Sequence, residues 1–111
     1  MENGYVYLIL EINELGSERH KIGISKNTPD KRVKQLSTGN SNIIRLLQAY
    51  KSPNYKKVEQ WLHSRFSLYK TEANNEWFSL PQDEIISFIA TCKKVDSTIN
   101  LLIEQNHFFK D

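Results

Sequence analysis

Five side chains that could work on a phosphodiester recur at telling positions in this sequence. Tyr7 and Lys21 sit in two apolar segments joined by a short polar stretch, and Gly23 follows Lys21 by two residues. Arg32 comes soon after the second segment. Glu59 and His63 are spaced i, i+4, which stacks them on one side of a helix. A phenolate or an imidazole can accept a proton, Lys and Arg can clamp an anion, and a carboxylate can hold a hard divalent ion. A glycine among them leaves bare backbone where a substrate can come close. This set suits phosphodiester hydrolysis.

The elements that must position these residues follow from the hydrophobic pattern. Tyr5 to Ile12 is β-branched and aromatic and is predicted as a strand with unlike faces. Val6, Leu8, Leu10 and Ile12 make one face wholly apolar, while Tyr5, Tyr7 and Glu11 put polar tips on the other. Asn13 to Glu18, with Gly16 and Ser17, turns the chain, and His20 to Ser25 returns as an antiparallel strand. There Ile22 and Ile24 share one face, and Lys21, Gly23 and Ser25 share the other. If the two apolar faces meet one core, Tyr7 and Lys21 emerge on the same side of the sheet.

Thr28-Pro29-Asp30 reads as a helix start with Thr28 as N-cap, and the helix runs to about Leu36 or Ser37 with Val33 and Leu36 inward. Ser37 to Asn42 is a loop, and Ile43 to Tyr50 a third strand. Ser52-Pro53-Asn54 opens a second helix with a stripe of Val58, Trp61, Leu62, Arg65/Phe66 and Tyr69, which leaves Glu59 and His63 beside it. Glu76 to Leu80 is a short extended segment. Pro81 starts a last helix through Ile85, Ile86, Ile89 and Val95 toward Leu102. Trp61, Phe66, Trp77 and Phe78 are expected in the core, and Cys92 as a helix packing residue. The expected class is α+β, a small, mainly antiparallel three-stranded sheet flanked by helices.

Length and composition fit that scale. At 111 residues and 13.0 kDa the chain is expected to form one domain, with 39% hydrophobic residues and few Gly or Pro, which excludes a disordered or collagen-like chain. The lone Cys92 excludes a disulfide scaffold and a Cys-rich zinc module. No Lys or Arg precedes the apolar run Tyr5 to Leu10, and that run is too short to span a bilayer. A cytoplasmic protein, without a membrane partner, is expected. The net charge is only +2, yet residues 19–70 hold twelve Lys and Arg against two acids, Asp30 and Glu59, between acidic flanks. Such a middle suits a polyanion-facing surface. Lys26, Lys31 and Lys34, with Gly23 and Ser25, are the expected nucleic-acid contacts. Glu59 is a single carboxylate in a basic field, as a metal-assisted phosphoryl site would place it.

Tyr5-Val6-Tyr7 followed by Lys21-Ile22-Gly23 resembles the paired motif of the GIY-YIG nucleases, in the small phage and bacterial branch that reads KIG in place of YIG. Lys31-Arg32-Val33 is similar to the family's arginine helix. Glu59-Gln60-Trp61-Leu62-His63-Ser64-Arg65-Phe66 and the closing Glu76-Trp77-Phe78 fit that branch as well. The likeness covers about residues 4–80 and leaves a C-terminal helical segment over 81–111. It implies an endonuclease acting on DNA, with RNA not excluded, and one Mg²⁺ or Mn²⁺ held by Glu59. It further implies Tyr7 as general base or water activator, Arg32 on the scissile phosphate, and His63 orienting a reacting group or phosphate. Lys21 replaces the second motif tyrosine, and Asn74 or Asn75 is the candidate for the family's downstream asparagine. Two rival readings use the same scaffold: a degenerate domain that binds nucleic acid without cutting, and a phage-type protein-interaction or inhibitor module.

Overall fold

The computed structural model describes residues 2–71 and 77–109, with side chains as far as residue 105. Asn74, Asn75 and Glu76 lie outside the described residues. The first hairpin is shaped at its turn. Asn13 Oδ1 accepts the backbone N–H groups of Leu15 and Ser17 at 2.9 Å each, and Gly16 takes φ 81°, where a Cβ would be strained. The strands β1 (Gly4–Ile12) and β2 (Glu18–Ser25) then run antiparallel, with Tyr7 opposite Gly23 and Ile9 opposite Lys21. β3 (Ile43–Ser52) pairs with the other edge of β1, with an irregularity between Leu8 and Ile9.

The class is α+β, as the pattern predicts, but the sheet has four strands rather than three. Trp77–Phe78 forms β4 against His20 and Lys21, in the order β3-β1-β2-β4. The extended segment becomes an edge strand because Phe78 enters the core on one face while Trp77 is buried on the other.

Helices cover both faces, unequally. α2 (Tyr55–Arg65) and α4 (Phe88–Phe109) pack on Val6, Leu8 and Ile22, and their Val58, Leu62, Phe88 and Cys92 complete a core with Phe66 and Phe78. α1 (Asp30–Ser37) covers the opposite face, where Val33 and Leu36 meet Tyr7, Ile9 and Ile44. Tyr50, Asn54 and Asn100 knit α4 to the end of β3 through Asp96. The Tyr50 hydroxyl donates to Asp96 Oδ2 at 2.7 Å, and Asn54 Nδ2 donates to Asp96 Oδ1 and Asn100 Oδ1 at 2.8 Å. Burial opposes the Asp96 charge, but the bonds from Asn54, Tyr50 and Ser52 outweigh it and lower its pKa. Cys92 is buried in the packing role expected of it, and burial pushes its thiol up to about 12.

Several local expectations are corrected. Thr28 is not a helix cap: Pro29 holds that position, no side chain caps the helix, and the Val33 N–H bonds Pro29 O to close the first turn. Trp61 is 40% exposed rather than core, since the buried line of α2 runs Tyr55, Val58, Leu62 and places Trp61 to one side. Tyr69 is likewise exposed, in the 3₁₀ turn Ser67–Tyr69. The single last helix is two. α3 (Gln82–Ile86) ends at Ser87, whose N–H and hydroxyl both bond Asp83 O, and the break lets Phe88 turn inward while Ile86 and Leu102 stay exposed.

Candidate active site

Tyr7 and Gly23 are direct cross-strand partners, and Ala49 on β3 flanks Tyr7 on the other side. The small neighbours leave the phenol room to lie across the sheet. A Cβ built on Gly23 would stand 2.5 Å from Tyr7 Cζ and would also collide with the hydroxyl. Only glycine accommodates this ring, so the two motif halves are one packing unit. Tyr7 and Lys21 do share a side of the sheet, as expected. That side is not an open polar face, however. Tyr7 is 1% exposed, because Val33 and Leu36 of α1 pack beside it. Among the described residues no buried side-chain polar atom lacks a partner, so the phenol oxygen is not an orphan inside this cluster.

Lys21 stands two register positions away, opposite Ile9, with its ammonium 5.7 Å from the Trp77 ring centroid. Between Lys21 and Gly23, the Ile22 carbonyl is met by His63 Nε2 at 2.9 Å. A carbonyl only accepts, so Nε2 carries the proton and donates, leaving Nδ1 for any proton exchange. The His63 ring also meets the Phe78 ring edge-on, with centroids 5.0 Å apart. His63 therefore holds α2 against β2. Glu59 is half-buried one helical turn earlier on the same side of α2, a helix that packs on the Val6, Leu8 and Ile22 face of the sheet and not on the Tyr7 face.

The remaining expected residues divide into two groups. Lys26 and Lys31 line one open groove of about 500 Å³ together with Tyr5 and Lys51. Ser25 belongs to the same row, because Tyr5 is the register partner of both Ser25 and Lys51. Lys34 instead lines a shallower hollow with Lys31, Gln35 and Thr38. Arg32 is exposed on α1 and donates to Gln35 Oε1 at 3.4 Å. Tyr5 and Lys51 were not singled out by the sequence pattern. Their shared row depends on the β1–β3 register, which alternation alone does not fix.

At the far end of this face, Glu11 lies opposite Arg19 and accepts its guanidinium Nε–H. Burial would raise the Glu11 pKa, but Arg19, Asn40 and Asn42 prevail and hold it low. The Arg19 guanidinium also lies 4.0 Å from the Trp77 ring centroid. This end is already neutralised, whereas the Tyr5 end presents cations. Among the described residues no three His, Cys, Asp or Glu cluster as a ready-made metal cage. Mg²⁺ is commonly held by one or two carboxylates plus waters and substrate phosphates, so the donor chemistry of a single Glu59 fits such an ion.

Among known protein families, the model of the T5orf172 domain matches residues 4–93. No curated protein and no solved structure matches the chain.

Proposed function

The chain belongs to the T5orf172 domain family, a family of nuclease-associated domains of phages and bacteria, and on that premise we propose that it is a GIY-YIG-type endonuclease acting on DNA. The observation that carries this reading is the Tyr7 ring laid across Gly23, two register positions from Lys21 on the same side of the sheet. The α1 packing clamps the ring, so its hydroxyl is held by rigid elements, as an acid–base group requires. Tyr7, in its phenolate form, accepts the proton of the attacking water and becomes the neutral phenol. Lys21 and Arg32 are the cations for the phosphate. His63 anchors α2 to β2 through the Ile22 carbonyl, and its Nδ1 is the atom left to orient a reacting group or phosphate. Glu59 would hold one Mg²⁺ or Mn²⁺, which when bound supplies Lewis-acid stabilisation of charge on the phosphoryl oxygens. Lys26, Lys31 and Lys34, with the Gly23 and Ser25 backbone, bind the flanking phosphates.

The test is plasmid nicking in Mg²⁺ or Mn²⁺ by the wild type and by Glu59→Gln and Arg32→Ala. Cleavage is expected to fall by roughly 10²–10³-fold in each variant, in line with loss of one transition-state contact, while the fold persists. Wild-type rates from a folded Glu59→Gln protein would overturn the assignment. Salt-sensitive DNA binding with no cleavage under any divalent ion would favour the degenerate binder, a reading that the replacement of the second tyrosine by Lys21 motivates.

A further inference from the structure

We propose that the groove beside Tyr5 is a subsite for one unpaired nucleotide next to the scissile phosphate, so that the substrate enters as an extended single strand or splayed end. The placement next to the scissile bond rests on the nuclease reading above. Three elements contribute a cation each: Lys26 follows β2, Lys31 lies on α1 and Lys51 on β3. Tyr5 lies between them on β1, and the Asn3 and Asn27 side chains add amide donors and acceptors. An aromatic ring among lysines is the arrangement that single-strand grooves use, the cations following the backbone while the ring stacks on a base. A concave space of about 500 Å³ takes one nucleotide. A continuous duplex would keep its bases stacked and out of reach.

The register fixes where this nucleotide lies. The row Ser25–Tyr5–Lys51 is two residues along β1 from the row Gly23–Tyr7–Ala49, about 7 Å away. In the opposite direction the face ends at the Glu11–Arg19 pair and Trp77, where Arg19 is already engaged and offers no free cation. The strand therefore leaves Tyr7 toward Tyr5. Among the described residues, Lys26 of the groove lies 4.0 Å from Glu2 in a pair that is open to solvent on both sides. Such a pair is weak, and a phosphate displaces it.

Fluorescence anisotropy in chelator-containing buffer, with a labelled short oligo-dT and a blunt duplex of equal length, tests the groove without cleavage. The wild type is expected to bind the single strand more tightly. Lys51→Met, at an exposed position, should lower the slope of log affinity against log salt by about 0.7, the loss of one single-strand phosphate contact. Tyr5→Leu should cost about fivefold or more in affinity with an unchanged salt slope. Lys94→Met, on the exposed side of α4 across the sheet, is the control and should change neither. Tighter binding of the duplex, or a Lys51→Met protein indistinguishable from wild type, would overturn the inference. Single-strand binding through Lys51 with no cleavage in any metal would keep the groove and remove the nuclease. Cleavage without the Lys51 dependence would do the reverse.

Discussion

On one side of the sheet, Val6, Leu8 and Ile22 are covered by two helices, and the polar groups that enter this layer are bonded into the Asp96 network. On the other side, Tyr7, Ile9 and Ile44 are covered by an eight-residue helix in which no residue is fully buried. The thick face supplies the cohesion of the fold. The thin face carries Tyr7, Lys21, Gly23 and the lysine groove. Since both faces belong to the same strands, rigidity on one side fixes positions on the other while leaving room for a ligand there.

That asymmetry can be broken most severely from the thick side. Phe88→Ala should cost about 3–5 kcal/mol in urea denaturation, because it empties a fully buried ring site closed by two helices. Leu36→Ala on α1, only half-buried, should cost less than half as much. Equal losses would mean that the two faces are equally load-sharing, contrary to the comparison. Next in size is Asp96→Ala, expected at about 1.5–3 kcal/mol because it strands Tyr50 and Asn54 without their charged acceptor. The same variant should remove part of the acid sensitivity. The Asp96 pKa is lowered by folding, so its contribution is present above the unfolded carboxylate range and is lost as pH falls through the folded value.

On the thin side, Gly23→Ala sharpens the comparison. The added methyl must displace the Tyr7 ring, at a cost of about 1–3 kcal/mol. On the nuclease reading, cleavage should fall far more than this stability loss, because the phenol is the group displaced. A variant that melts lower yet nicks plasmid at the wild-type rate would uncouple Tyr7 from the chemistry.

Much of this layout is legible in the residues themselves. The antiparallel hairpin, the shared side of Tyr7 and Lys21, the inward Val33 and Leu36, and the flanking position of Glu59 and His63 all follow from alternation and helical spacing. The covering of Tyr7 does not, since a polar-tipped strand face gives no sign that a later helix will fold over it. Trp61 illustrates the opposite error. Helical spacing offers it to the core, but the axis of α2 is set by Val58 and Leu62 meeting the sheet, and Trp61 falls outside. The Lys51–Tyr5–Ser25 row needed two strand registers at once, and those come from long-range pairing.

The smallest expected effect concerns His20, which lies where β2 meets β4. It is buried, and the Leu80 backbone N–H donates to its Nδ1 at 3.3 Å, so the ring is held neutral with Nδ1 as acceptor. Burial lowers its pKa, more than the Glu18 charge and the backbone hydrogen bond with Phe78 raise it. An unfolded histidine takes up a proton near pH 6.5, while the folded one resists until lower pH. Between those values the unfolded chain binds more protons, so stability must fall as pH drops through about 6.5 and level off below the folded value. His20→Gln retains an acceptor for the Leu80 N–H and cannot titrate. Urea midpoints measured at pH 7.5 and 5.5 should therefore differ less in His20→Gln than in the wild type. An identical difference in the two proteins would assign the acid sensitivity to other groups and leave the β2–β4 junction without a proton-linked role.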